Sequence, residues 1–202
     1  MVTDKLLIKK PKFPSVDERE ILRYAGVRAV TDEHKSAIES AVKELKPFLQ
    51  NAVIYKILKV AVFDNICDFG AFKIKSSTLA LSLKNAEYAA VVCATVGLGA
   101  DRIISKYSRI SPFRAHITSA VATERIEALM DSFDADLKKD VSNEGFDVCK
   151  RFSPGYGDFK LEDQKNIFNL LTPDKYIGLT LNDSLIMSPS KSVSAVIGIK
   201  RI

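Results

Sequence analysis

Strand-like and helix-like segments occur in blocks along this chain, and this order restricts its possible folds more than any other feature. Two segments rich in β-branched and aromatic residues, AVIYKILKVAVF and AEYAAVVCATVG, precede the longest helical candidate, SPFRAHITSAVATERIEALMDSFDADLKKD. Strict alternation of strands and helices would favour a parallel sheet, whereas blocks are typical of α+β folds. The predicted class is therefore α+β, with a mainly antiparallel sheet and flanking helices.

Two shorter helices are predicted before the first strand. SVDEREILRYAGV offers Ser15 or Asp17 as an N-cap and has acids in its first turn. A second helix is expected from Thr31 to about Gln50, with a kink or an end at Pro47. Later in the chain, LEDQKNIFNLL is predicted to form a short amphipathic helix.

The strand predictions depend on turn residues as well as on β propensity. AVIYKILKVAVF is predicted to be one long strand, followed by a turn from Asp64 to Gly70 and a strand at AFKIKS. IGLTLNDSLIMSPSKSVSAVIGIKR is predicted to form two β-segments around a turn from Ser188 to Lys191. Gly97-Leu-Gly99 lacks the third glycine and the lysine of phosphate-binding loops, so we interpret it as a strand-to-helix turn.

Composition favours one ordinary globular domain spanning residues 1–202, with 47% hydrophobic and 27% charged residues. No apolar run approaches the roughly 20 residues of a spanning helix, and the start, MVTDKLLIKKPKFPS, has too short an apolar segment for a secretory signal. We therefore predict a cytoplasmic protein without membrane contact.

Basic and acidic residues are interleaved over most of the chain, which argues against nucleic-acid binding. Three scattered cysteines and two histidines have no metal-ligand spacing, so no metal site is predicted.

The segment RFSPGYGDFKLEDQ concentrates residues that suit a small ligand. Arg151 can hold a carboxylate bidentately, and Gly155 or Gly157 can expose backbone amides. Tyr156 can stack on a planar ring or lie against a cation. These groups suit a ligand with a carboxylate, an aromatic base and a positive centre. The alternative is an ordinary turn in which Arg151 pairs with a local acid such as Asp158.

Three acids of the long helical candidate form a second group of candidate residues. Glu124, Glu127 and Asp131 are spaced so that they share one side of the helix. Paired carboxylates can perform acid–base chemistry, but acids on a helix more often mark its solvent-facing side. The sequence by itself leaves both interpretations open.

The arginine loop also resembles the AdoMet-binding signature, Arg-x-x-x-Gly-Tyr, of the activation domain of cobalamin-dependent methionine synthase. Arg151, Gly155 and Tyr156 match that signature. LEDQKNIFNLL, IGLTL and the serine-rich DSLIMSPSKSVS follow in the family's order, and TVGLGADRIISKYS and SAVATERIEALMD are also similar. SPGYGD, LEDQ and MSPSKSVSA are closer still to small stand-alone proteins related to this domain.

The resemblance implies a C-shaped single domain that binds S-adenosylmethionine (AdoMet) in a shallow groove. It implies a partner, a cobalamin-dependent methionine synthase whose separate module carries cobalamin, and an electron donor such as flavodoxin. In the family, an electron and the methyl group of AdoMet restore methylcobalamin from cob(II)alamin. The chain is thus expected to be a stand-alone reactivation component, a methyltransferase component in methionine biosynthesis. No side chain is expected to act as an acid or base, because methyl transfer to cobalt(I) requires alignment only.

The family's site residues carry over to specific positions of this chain. Arg151 is expected to hold the methionine carboxylate, and the backbone of Ser153, Pro154 and Gly155 is expected to line the groove. Tyr156 is expected near the ligand and the cobalamin.

Two acids complete the expected site. Asp17 matches the family's N-terminal acid that contacts the amino group of the ligand. Glu127 is expected to be the acid of the long helix near the groove, with Glu124 as the runner-up.

One departure from the family supports a different function. The family's enzymes continue beyond the last β-segment into a segment whose tyrosines help to bind AdoMet, and the chain shows no such match. The alternative is therefore a non-catalytic docking module for a corrinoid protein that has lost AdoMet binding. A methyltransferase with another acceptor is a third reading, although the usual glycine-rich nucleotide-binding unit is missing.

Overall fold

The computed structural model describes residues 5–202, and its elements follow one another in the blocks expected from the sequence. Residues 1–4, the first part of the segment MVTDKLLIKKPKFPS considered above as a signal, lie outside this range. In chain order the elements are β1 (Leu7–Lys9), α1 (Glu18–Tyr24), α2 (Asp32–Leu45), a 3₁₀ turn (Lys46–Phe48), β2 (Ala52–Lys59), β3 (Ala61–Phe63), β4 (Ile66–Asp68), β5 (Lys73–Lys75), α3 (Ser77–Ser82), β6 (Ala86–Thr95), α4 (Leu98–Ser108), α5 (Pro112–Ser142), β7 (Phe146–Val148), a 3₁₀ turn (Leu161–Asp163), α6 (Gln164–Leu171), α7 (Pro173–Ile177), β8 (Thr180–Leu181), β9 (Met187–Ser188) and β10 (Ser192–Arg201).

A five-stranded antiparallel sheet with the order β1-β2-β6-β10-β7 forms the centre of the fold. One face, which includes Tyr55 and Val92, packs against α1, α2, α4 and α5. The other face, which includes Ile54 and Val91, packs against α3, α6 and α7. Because both faces are covered, the central strands have nearly continuous apolar sequences. The predicted α+β class and antiparallel sheet are confirmed.

The long helix α5 begins and ends as its sequence indicates. Ser111 is its N-cap and Pro112 occupies its first turn, where a missing backbone N–H is harmless. At 31 residues, α5 is about 46 Å long. It packs against α1, α2 and α4 and contacts β7. The other helices on this face of the sheet are therefore all in contact with α5.

The prediction of one long strand over AVIYKILKVAVF is wrong, because the segment forms two strands, β2 and β3, separated at Val60. β2 belongs to the central sheet, whereas β3 pairs with β4 in a separate sheet with the order β3-β4-β5. Asp64 and Asn65 both have positive φ, 46° and 62°, which allows a two-residue hairpin turn. The turn predicted from Asp64 to Gly70 therefore contains an additional strand, β4.

The C-terminal β-segments also differ from the prediction in part. The turn from Ser188 to Lys191 is present between β9 and β10, but β9 pairs with β8 and not with β10. Asp101 in the first turn of α4 accepts hydrogen bonds from the backbone N–H and the hydroxyl of Ser190. This contact fixes the turn between β9 and β10 to α4, and β10 then pairs with β6 in the central sheet. The short helix α7 and the edge strands β1 and β7 were not predicted.

Gly97-Leu-Gly99 is the strand-to-helix turn that the sequence indicated, since β6 ends at Thr95 and α4 begins at Leu98. A Cβ atom at Gly99 would lie 2.5 Å from the backbone oxygen of Phe48. The glycine therefore permits close packing of α4 on the 3₁₀ turn.

We expect Gly99→Ala to lower the free energy of unfolding by about 1–3 kcal/mol, because two backbone segments must separate to admit the methyl group. Urea unfolding measures this change. Ser105→Ala, at an exposed position of α4, serves as the control and should remain close to the native value. A Gly99→Ala protein as stable as this control would contradict the packing argument.

Within residues 5–202, no helix combines the length and the apolar character needed to cross a bilayer. In the same range, no cluster of three or more His, Cys, Asp or Glu side chains is arranged to hold a metal ion. Cys67 and Cys93 are buried free thiols, and Cys149 is a partly exposed one.

Candidate functional site

The loop from Arg151 to Asp158 is held against the edge of the central sheet. Phe152 exchanges two backbone hydrogen bonds with Val196 of β10, at 2.9 and 2.8 Å. Its ring stacks on buried Phe159 with a centroid separation of 6.1 Å. The Gly155 N–H donates to the Phe159 carbonyl at 2.7 Å, and Gly155 has φ +95°. The loop is thus closed on itself, and the ring of Tyr156 is left 67% exposed.

Asp158 fastens the other end of this loop to the N-terminus of α3. Its carboxylate accepts hydrogen bonds from the hydroxyls of Ser76, Ser77 and Thr78 at 2.5–2.7 Å. It also accepts the backbone N–H groups of Ser77 and Thr78, at 2.7 and 3.0 Å. These bonds hold the pKa of Asp158 far below its usual range. Gly157 must approach the same turn closely, because a Cβ there would lie 2.7 Å from Thr78 Oγ1.

Arg151 points toward α5, where three carboxylates surround its guanidinium. Nη1 donates to Asp131 at 2.7 Å and to Asp134 at 2.6 Å, and Nη2 donates to Glu127 at 2.7 Å. Burial opposes the charge of the guanidinium, but these bonds and the charge of Asp134 raise the pKa of Arg151 overall. The alternative turn, in which Arg151 pairs with Asp158, is wrong.

The charge around Arg151 is unbalanced, because one guanidinium faces three carboxylates. Burial raises the pKa of Asp134, although the Arg151 charge acts in the opposite direction. Nε and one Nη2 hydrogen of Arg151 have no partner within residues 5–202. The free donors of the guanidinium can still meet a carboxylate, although the surplus negative charge of the three acids opposes its approach and attracts a cation.

A cavity of about 460 Å³ lies on one side of this cluster, between the arginine loop, α6 and β10. We call it the loop cavity. Its walls combine the aromatic or apolar side chains of Phe152, Tyr156 and Met187 with the polar side chains of Gln164 and Ser194. The lining also includes polar groups of Glu127, Arg151, Ser153 and Ser192. Apolar surfaces beside polar groups suit a nucleoside-sized ligand, which carries both kinds of surface.

A second cavity of about 390 Å³ lies between α1, α5 and the segment that precedes α1. We call it the helix cavity. Asp17, Tyr24 and Asp131 line it, and Arg151 and Glu127 line both cavities. Burial and the charge of Glu127 raise the pKa of Tyr24. The ion pair of Arg151 with Glu127 therefore lies at the boundary of a mixed cavity and an acidic one.

Asp17 is both the N-cap of α1 and a wall of the helix cavity. Its Oδ1 accepts the N–H groups of Arg19 and Glu20, at 2.9 and 3.3 Å. Oδ2 forms no hydrogen bond to any part of the chain that the structure describes. One carboxylate oxygen thus fixes the helix, and the other is free to meet a ligand.

Glu124 lies in a buried ion pair with Arg125, which the sequence did not reveal. Its carboxylate is 5% exposed and pairs with the guanidinium of Arg125, which is 6% exposed. Arg125 also donates to the carbonyls of Pro14 and Ser15, and Glu124 Oε1 accepts the N–H of Asp17 at 3.1 Å. Of the two interpretations left open for these acids, the more usual solvent-facing one does not hold for Glu124, which is buried. This buried pair fastens the segment that carries Asp17 to α5.

A family model described as "Vitamin B12 dependent methionine synthase, activation domain" matches residues 76–201, more than half of the chain. The chain belongs to this family. The resemblance found in the sequence is therefore confirmed. No curated protein matches the chain.

The fold of this activation-domain protein is also found in a solved structure, described as the crystal structure of the MetH reactivation domain bound to AdoHcy. The two structures have a TM-score of 0.71 at 13% sequence identity. The match covers 96% of this chain and 78% of the other. At this identity the similarity shows a common fold.

The activation-domain fold brings the candidate residues to one region. Arg151, Ser153, Pro154 and Tyr156 line the loop cavity, Asp17 lines the helix cavity, and Glu127 lines both. Gly155 shapes the loop but does not itself line either cavity. Of the two helix acids considered, Glu127 contacts Arg151 directly, whereas Glu124 contacts Arg125.

Sequence analysis missed several residues of the candidate site, and three of them differ in the signal that they offer. Asp134 lies seven residues after Glu127 on α5, so helical spacing could have indicated it. Gln164 interrupts the apolar side of α6, which is a detectable signal because a buried apolar residue is usual there. Met187 lies in the small hairpin, and no local pattern distinguishes it.

Proposed function

We propose that this protein, as a single domain spanning residues 1–202, binds AdoMet and is the reactivation component of a cobalamin-dependent methionine synthase. A flavodoxin-like or other donor supplies an electron to the cobalamin of a separate partner in the cytoplasm. AdoMet supplies the methyl group and leaves as S-adenosylhomocysteine (AdoHcy). The protein's own contribution is to align the sulfonium with the acceptor, and alignment contributes several kcal/mol to such reactions.

The observation that carries the proposal is the pairing of opposite charges at the boundary of the two cavities. AdoMet has a carboxylate, an ammonium and a sulfonium. Arg151 retains unpaired donors for the carboxylate, and Asp17 and Glu127 provide acceptors for the positive groups. The loop cavity then receives the adenosyl group, and the helix cavity receives the methionine end. That the solved MetH reactivation domain is bound to AdoHcy supports the binding of AdoMet or AdoHcy by this protein.

Isothermal titration calorimetry with AdoMet tests the proposal. We expect the native protein to bind AdoMet and Arg151→Ala to bind it at least about tenfold more weakly, because a charge-assisted contact is lost. Arg151→Lys keeps the charge but not the fork, so its affinity should be intermediate. Arg201→Ala removes an exposed arginine outside both cavities and should leave affinity unchanged. Absence of AdoMet binding by the native protein would refute the proposal.

The docking alternative is favoured by one observation, the engagement of Arg151 by three carboxylates. A ligand carboxylate must share the guanidinium with these acids, which weakens its binding. If this function is correct, the native protein gives no heat with AdoMet, and a purified corrinoid protein still binds it. Saturable AdoMet binding that depends on Arg151 excludes this alternative.

A further inference from the structure

The floor of the loop cavity contains a polar side chain that no contact within the protein fully satisfies. Gln164 is 4% exposed, and its Nε2 donates to Ser194 Oγ at 3.2 Å. Its carbonyl oxygen Oε1 is buried and has no hydrogen-bond partner anywhere in residues 5–202. A buried carbonyl without a partner is destabilising.

The position of Gln164 on its helix makes this amide more unusual. Gln164 lies three residues before Ile167 and seven before Leu171, both of which are fully buried. These three residues share one side of α6, where a leucine or isoleucine is ordinarily favourable. Apolar helix packing does not explain an amide at this position, and the hydrogen bond to Ser194 uses only its Nε2. Contact of Oε1 with a ligand in the cavity would account for the rest of the amide.

The walls of the cavity indicate which part of a ligand reaches the amide. Phe152, Tyr156 and Met187 line the same cavity as Gln164. Aromatic and thioether side chains accommodate a flat heteroaromatic ring. A ring held against these side chains can turn its edge toward Gln164, which lines the same cavity. The terminal torsion of glutamine is broad, so the amide can turn to meet that edge.

We infer that Gln164 recognises the edge of adenine, with Oε1 accepting a hydrogen bond from the 6-amino group. Glutamine and adenine have complementary donors and acceptors, as in nucleic-acid recognition. Gln164 is thus a specificity-determining residue that selects a 6-aminopurine over other bases. This inference rests on the proposed function, because it assigns the adenosyl group to the loop cavity.

The test compares AdoHcy with its purine analogue, in which hydrogen replaces the 6-amino group. By calorimetry, we expect the analogue to bind the native protein about tenfold or more weakly, since a site built for a hydrogen bond rejects a ligand without it. In Gln164→Met the two ligands should bind with nearly equal affinity. Gln164→Glu retains an acceptor of the same length and should keep the preference for AdoHcy.

Each outcome distinguishes this inference from the proposed function. If AdoHcy binds and the preference is the same in native protein and Gln164→Met, the inference is wrong and the proposed function stands. A uniform loss for both ligands in Gln164→Met also overturns it, because it indicates a contact to ribose or a role in packing alone. If neither AdoHcy nor AdoMet binds the native protein, both proposals fail.

A second measurement covers the case in which Gln164→Met does not fold. In NMR spectra of the native protein, the chemical shifts of the Gln164 side-chain amide should change on addition of AdoHcy. They should change much less on addition of the purine analogue. Equal changes with both ligands overturn the inference.

Discussion

Replacing Arg125 with alanine is expected to lower the free energy of unfolding by about 3–5 kcal/mol, as is usual when one partner of a buried ion pair is removed. Glu124 is only 5% exposed in the native protein, and the substitution removes the cation paired with its carboxylate. It also removes the donors to the carbonyls of Pro14 and Ser15. Chemical unfolding followed by circular dichroism measures the loss.

Arg23→Ala is the matched control, because Arg23 also pairs with a glutamate but is 61% exposed. Exposed pairs contribute only about 0–1 kcal/mol, so this variant should remain near the native stability. The double variant Glu124→Leu with Arg125→Met removes both buried charges and should recover much of the loss. Equal stabilities for Arg125→Ala and Arg23→Ala would show that the buried pair does not hold the N-terminal segment.

Replacing Asp158 with asparagine is expected to release the arginine loop from α3. Asparagine has the same shape but no charge, and it cannot accept all the hydrogen bonds from Ser76, Ser77 and Thr78. We expect a lower melting temperature and, if AdoMet binds as proposed, an affinity reduced by about tenfold because the loop is no longer held in place. Asp183→Asn, an exposed aspartate in the β8–β9 turn, should change neither property.

The effect of Asp158 should depend on pH in a defined direction. Its pKa is lower in the folded protein than in the unfolded chain, so the charged form stabilises the fold. This stabilisation is fully present above about pH 4, near the unfolded value, and is lost as the pH falls toward the folded pKa. The difference in melting temperature between native protein and Asp158→Asn should therefore narrow below about pH 4. A constant difference between pH 6 and about pH 3 would contradict this assignment of charge.

Local sequence signals predicted the helices and strands of this fold better than they predicted which strands pair with each other. Asp17, Thr31 and Ser111 cap their helices because short-range hydrogen bonds determine caps. The division of β2 from β3 was missed, because strand pairing depends on distant residues and the local sequence has the same β propensity on both sides of Val60.

The candidate site shows the same limit. Arg151, Ser153 and Tyr156 share a loop of recognisable composition, and the spacing of Glu127 and Asp131 places them on one side of α5. That Arg151 lies against those acids depends on how the loop returns over the helix, which no local pattern specifies. Glu124 is buried for the same reason, because the segment before α1 packs across it.

The two outer strands of the central sheet have a further consequence for association with other chains. β1 and β7 contain three residues each, so little unpaired backbone is offered for edge-to-edge addition of a foreign strand. Lys9 in β1 is also engaged with Asp140 of α5, and Asp147 in β7 with Lys138. Charges on short edges discourage aggregation. Addition of a foreign strand to β1 or β7 is therefore disfavoured, and recognition of a partner through surface side chains is favoured at these two edges.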